Sequence, residues 1–166
     1  MDFFFRQEPA VSDVAAIRQL VADTGFFRAD EVAVAGELVE ERLAKGEASG
    51  YYFWFADIKG KPVGYVCFGP IPCTLGSYDL YWIAVERNCQ GKGLGLLLAK
   101  RAEQSAHDMG GRRMYVETSG KELYAPTRAF YERAGYFKAA ELPDFYDEGD
   151  AKIVYQKNLC MSREQE

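Results

Sequence analysis

The stretch Gln90-Gly91-Lys92-Gly93-Leu94-Gly95-Leu96 sets three glycines at alternate positions. It lies between a segment patterned as a strand and one patterned as a helix. Glycine lets the backbone adopt positive φ and lets a ligand approach with no Cβ in the way. The first turn of a helix presents unpaired N–H groups and the positive end of the helix dipole. Together these make an anion site suited to a pyrophosphate, and Lys92 is placed to add charge at its rim. A nucleotide P-loop needs Ser or Thr after Gly-Lys, and here Gly93 follows Lys92. A dinucleotide fold is the rival reading. Glu117 stands about twenty residues on, at the end of the next strand, where a ribose-binding acid belongs. Against that reading, Leu96 occupies the third-glycine position and an antiparallel hairpin precedes the turn.

The elements that must position this turn follow from periodicity. Val14, Ile17, Leu20 and Val21 share one helical face, capped by Ser12 or Asp13. A second helix is predicted from after Asp30 to Gly46, and the aromatic loop Thr24-Gly25-Phe26-Phe27 separates the two. Residues 51–58 and 62–68 flank a Lys59-Gly60-Lys61 turn as a hairpin, and 78–85 is the next strand. Leu94, Leu98, Ala102, Ala106 and Met109 form an apolar stripe on the following helix, which Gly110-Gly111 ends. Strand 113–118 should run parallel to its predecessor, because a helix separates them. Pro126 opens a short helix that Gly135 closes. Strands 136–142 and 151–159 finish the fold, with 143–150 as a polar loop. With a short strand at 3–6 this makes seven strands and four helices. The expected class is α/β (α+β), a mixed, mostly antiparallel sheet in one domain over 1–160, with 161–166 a loose tail.

Composition narrows the function. The formal net charge is -5, which argues against nucleic acid, whose binding needs a basic face to displace counterions. It suits a cationic acceptor such as an amine. Cys67, Cys73, Cys89 and Cys160 lack zinc-knuckle spacing and His107 is the only histidine, so no metal is expected. The cysteine pattern suggests no disulfide scaffold and hence a reducing, cytoplasmic compartment. No apolar run reaches the length of a membrane span. A homodimer is the default for an enzyme of this size.

Two motifs carry a family resemblance. Ile83-Ala84-Val85, a short loop and Gln90-x-x-Gly93-x-Gly95 resemble the acetyl-CoA motif of the GNAT N-acetyltransferase superfamily, Arg/Gln-x-x-Gly-x-Gly/Ala before a helix. About forty residues on, Phe130-Tyr131-Glu132-Arg133-Ala134-Gly135-Tyr136 is similar to its second signature. The resemblance runs from about Tyr51 to Leu159. It implies helices on both faces of the sheet and a splayed fourth and fifth strand, with the coenzyme in the gap. It further implies an acetyltransferase that moves an acetyl group from acetyl-CoA to a primary amine, small molecule or peptide N-terminus, by direct attack in a ternary complex. A coenzyme-A-binding module without catalysis and an NAD(P)-binding oxidoreductase are the other classes.

The same resemblance assigns site residues. Backbone groups of Ile83 and Val85 would pair with the pantetheine arm, and N–H groups of Gly91, Lys92, Gly93, Leu94, Gly95 and Leu96 would hold the pyrophosphate after Gln90. Tyr115-Val116-Glu117-Thr118 is similar to the base-bearing strand of ribosomal-protein N-terminal acetyltransferases, which makes Glu117 a general base. Asp79, four residues before Ile83, is the competitor, at the place where histone-type members carry a glutamate. Tyr131 matches the tyrosine that protonates the coenzyme thiolate. Tyr124 stands where many relatives place a coenzyme-contacting Asn, and the loop before it is about two residues longer. The aromatic-acid run 144–150 resembles the loop that holds the acceptor.

Overall fold

The structure, a computed structural model, describes residues 2–160. The expected loose tail at 161–166 lies outside the described residues. In chain order the elements are β1 (Phe4–Arg6), α1 (Asp13–Asp23), α2 (Ala29–Lys45), β2 (Tyr52–Ile58), β3 (Lys61–Pro70), β4 (Ser77–Val85), α3 (Leu94–Asp108), β5 (Arg113–Ser119), α4 (Ala125–Arg133), β6 (Phe137–Asp147) and β7 (Asp150–Asn158). The strands form one seven-stranded sheet in the order β1-β2-β3-β4-β5-β7-β6. The β4–β5 ladder is parallel, while β1–β2, β2–β3, β5–β7 and β6–β7 are antiparallel. The residues divide into two compact units. One takes the chain to Gly69 together with Leu80–Ala102; the other takes Pro70–Asp79 and the chain from Glu103.

In the first unit, strand alternation decides the core. Phe53 and Phe55 of β2 and Tyr65 and Cys67 of β3 pack with Ile17, Leu20, Val21, Ala35 and Val39 of α1 and α2. Gly64, which pairs with Ala56 just beyond them, faces the other way. A Cβ there would meet the Leu98 and Leu94 side chains at 3.1 and 3.2 Å, so α3 lies directly on the β3 backbone. Leu94, Leu98, Ala102 and Ala106 are buried as the α3 stripe requires, whereas Met109 falls past the helix end and is exposed.

An ion cluster that periodicity does not reveal fastens the start of the chain. The Arg6 guanidinium donates to both carboxylate oxygens of Asp13 at 2.7 and 2.8 Å and to Asp57 at 2.7 and 3.2 Å. Both acids are buried. Asp13 also accepts the Ala10 N–H at 2.6 Å, while Ser12 at the N-cap makes no side-chain bond. Asp13 therefore joins β1 and β2 to the first residue of α1.

In the second unit, Met114, Val116 and Thr118 of β5 are buried on one face. Tyr155, opposite Val116, packs against the Tyr131 ring of α4 at 6.1 Å between centroids, and Tyr131 meets Tyr136 at 5.9 Å. Glu103 accepts from the Tyr136 hydroxyl at 3.1 Å and from Lys157 at 2.7 Å, so its buried charge is matched.

The polar loop expected at 143–150 is instead the far half of a long hairpin. β6 runs on to Asp147, which pairs with Asp150 across a Glu148-Gly149 turn with Gly149 at φ 76°. A register shift between Leu142 and Asp147 absorbs Pro143 and Asp144, and an end strand tolerates the N–H that proline lacks. The Asp144 and Asp147 carboxylates accept from the backbone N–H groups of Gly149 and Glu148 at 2.7 and 2.8 Å. These two acids serve the turn rather than standing free around the aromatic rings.

Candidate active site

The glycine turn belongs to the first unit. Gly91 and Gly93 sit at φ 72° and 80°, a region that L side chains rarely adopt. Nothing lies within 4 Å of where a Cβ would stand on either residue, so this side of the loop is open. The Leu97 N–H bonds the Gly93 carbonyl at 3.0 Å, which starts the α3 ladder. The N–H groups of Leu94, Gly95 and Leu96 are the opening amides of α3, which helix geometry leaves without an acceptor four residues back. Exposed left-handed glycines leading into such amides at the positive end of a 15-residue helix fit a diphosphate.

Two side chains around the turn bond back to nearby carbonyls. Lys92 folds onto its own loop, its ammonium donating to the Asn88 carbonyl at 2.8 Å. The Gln90 amide donates to the Val85 carbonyl at 2.9 Å, one of the groups the family resemblance offers to the pantetheine arm. A carbonyl oxygen keeps a second lone pair. Ile83 and Val85 are both half-buried and share one face of β4. In the same unit Arg87 donates to the Thr24 carbonyl at 3.4 Å, and Phe27 rests on Trp82 with centroids 4.8 Å apart.

The titratable groups belong to the second unit, and register places them. Asp79 lies across from Tyr115, and Glu117 is two residues along β5 on the same face. Val154 is opposite Glu117, which brings Lys152, two residues before it, diagonally beside Glu117. The Lys152 ammonium is 2.8 Å from Glu117 Oε2 and 4.3 Å from the centroid of the Phe145 ring. Asp79 is half-buried and has no hydrogen-bond or ion-pair partner among the described residues. Burial pushes its pKa from 3.8 up to about 6; the nearby Glu117 charge adds to the rise and Lys152 opposes it.

Tyr131 lies on the other face, in contact with Tyr155. Its phenol is buried and pushed above the usual range by desolvation, and its hydroxyl makes no hydrogen bond among the described residues. Tyr124 is half-buried at the turn into α4, where Arg128 pins the preceding loop through the Ser119 and Lys121 carbonyls at 2.8 and 2.7 Å. The structure thus brings Asp79 and Glu117 together and sets Tyr131 across β5 from them. Sequence reasoning missed Lys152. Its only signal was alternation along the last strand, which has no meaning until the register with Glu117 is known.

A mixed sheet feeding a glycine turn into a helix N-terminus is an α/β arrangement that presents backbone amides to an anion. The family model described as "Acetyltransferase (GNAT) family" matches residues 15–136, and the chain belongs to that family. An uncharacterized N-acetyltransferase of Methanocaldococcus jannaschii is 30% identical over 110 residues, which are 63% of this chain and 65% of that protein. The chain therefore spans just under two thirds of that relative's length. A crystal structure of a GNAT-family protein from Desulfovibrio desulfuricans is 45% identical with a TM-score of 0.94, covering 96% of this chain and 100% of that one. An aminoglycoside 6'-N-acetyltransferase complexed with coenzyme A shares the fold at a TM-score of 0.75 and 17% identity, with 99% of this chain and 100% of that one covered.

Proposed function

We propose that the chain is an acetyl-CoA-dependent N-acetyltransferase, acting on a primary amine by direct attack in a ternary complex. The observation that carries this reading is the Gly91–Gly93 turn, open on its Cβ side and continuous with the unpaired first amides of α3. Family membership supports it, and so does the coenzyme A held by a protein of the same fold. The antiparallel β2–β3 hairpin before β4 speaks against the NAD(P) alternative, which wants parallel neighbours.

The chain's own residues then divide the work. Amides of Gly91 to Leu96 hold the coenzyme's diphosphate, and backbone groups of Ile83 and Val85 align its pantetheine arm. Tyr124, at the turn into α4, is a further candidate for a coenzyme contact. An alkylammonium, with a pKa of about 10, has no lone pair to attack with until a base takes its proton. Asp79 of β4 and Glu117 of β5, on one face of the sheet, are the candidate carboxylates for that. Tyr131, on the other face, gives its phenol proton to the departing sulfur. The acceptor is a small-molecule amine or a peptide N-terminus, and the net charge of -5 favours a cation. A homodimer and a cytoplasmic location complete the proposal, to be checked by light scattering and cell fractionation.

The test is release of free thiol from acetyl-CoA across peptides, polyamines, amino acids and aminoglycosides. Amine-dependent release is expected. Thermal stabilisation by acetyl-CoA with no release from any amine would reduce the chain to a coenzyme-binding module.

A further inference from the structure

Two carboxylates lie on one face of β4 and β5, and the structure treats them differently. Glu117 is exposed and engaged by the Lys152 ammonium at 2.8 Å. Lys152 is itself mostly covered, with only 16% of its side chain accessible, and it is steadied against the Phe145 ring. Asp79 is half-buried and unengaged. A carboxylate withdrawn from water without a partner is costly, and natural folds normally supply one. The groups that face Asp79 are Tyr115 and Glu117 on β5 and Lys152 on β7.

Resting on the acetyltransferase reading, we propose that Lys152 is a positioning residue. By holding Glu117 in an ion pair, it leaves Asp79 as the carboxylate that takes the acceptor's proton. Glu117 stands as a fixed anion that attracts the ammonium and keeps Asp79 basic, and Lys152 limits how far that effect goes. The balance is complete. One ammonium proton passes to the Asp79 carboxylate, and the freed nitrogen pair forms the N–C bond to the acetyl carbon. The C–S bond breaks with its electron pair on sulfur, which takes the Tyr131 proton. The second proton lost by the nitrogen restores Tyr131, and Asp79 returns its proton to water.

The experiment pairs two readouts on the full chain. One is the titration of Asp79 followed by carbon NMR of labelled carboxyl groups. The other is the pH profile of kcat/KM for an amine found active. In the wild type both should report a transition near pH 6, as Asp79's raised pKa requires. In Lys152→Gln the transition should move up by about one unit, because a neighbouring cation is lost. In Glu117→Gln it should move down by about one unit, because a neighbouring anion is lost, with kcat falling less than in Asp79→Asn. Lys152→Arg keeps the charge and should leave the transition in place. Asp79→Asn should lose about 10²–10⁴-fold in kcat. Unmoved transitions in both Lys152→Gln and Glu117→Gln would overturn the positioning role. So would a Glu117→Gln variant as inactive as Asp79→Asn should be. The NMR titration needs no turnover, so a wild type that releases no thiol while Asp79 titrates as described would sink the acetyltransferase reading and leave the cluster standing.

Discussion

Burial and the Glu117 charge raise Asp79 from 3.8 to about 6, and this acts on stability. The folded state holds the Asp79 proton more tightly than the unfolded chain does. Between about pH 4 and pH 6 the unfolded chain has therefore already released a proton that the fold retains, and stability falls as pH rises through that window. Above it, the fold carries a partly desolvated charge with no partner. Asp79→Asn should melt higher than the wild type at pH 8, and the difference should vanish by about pH 4; a scan of melting temperature against pH checks this. A residue kept at some cost to the fold, and lost only with turnover, is what a functional carboxylate predicts. Tyr131 gives the complementary case. Its ring packs against Tyr136 and Tyr155, so Tyr131→Phe keeps the packing and removes only the proton. Turnover should drop while the dissociation constant of acetyl-CoA, read by calorimetry, stays within about twofold, because the hydroxyl makes no bond that the fold needs.

At the scale of elements, what the sequence discloses depends on whether a feature is local. The α3 stripe from Leu94 to Ala106 is buried as its spacing demands, and the Gly91 and Gly93 conformations follow from residue type. The Arg6–Asp13–Asp57 cluster was illegible, because its members lie 7 and 51 positions apart and only the β1–β2 ladder and the α1 start unite them. For the same reason Lys152 and Glu117 meet only through the β5–β7 register. The 143–150 segment misled because proline and clustered acids read as loop, whereas a register shift and two aspartate-to-backbone bonds keep it in the hairpin. Removing Asp13 leaves Arg6 paired with Asp57 alone, stripped of two charge-assisted bonds, and takes the acceptor from the Ala10 N–H. Asp13→Ala should therefore destabilise by about 1.5–3 kcal/mol in denaturant unfolding, without altering the slope m, since the surface exposed on unfolding is unchanged. Gly93→Ala places a Cβ at φ 80°, costing about 1–2 kcal/mol of local strain. The loop is open there, so the chain should still fold, with weakened binding of coenzyme A.

For the molecule as a whole, family membership fixes the fold, and the coenzyme turn is the proposal on which the rest of the account depends. The central claim is that the amides from Gly91 to Leu96 bind a coenzyme A diphosphate. A ligand that binds the folded chain alone raises stability by about 2.7 kcal/mol at a hundred times its dissociation constant. The most direct measurement is therefore the melting temperature of the wild type and of Gly93→Ala, each titrated with acetyl-CoA and with NAD. Stabilisation of the wild type by acetyl-CoA and not by NAD, with the response reduced in Gly93→Ala, is the predicted result. No response to acetyl-CoA, or an equal response in the two proteins, would contradict it.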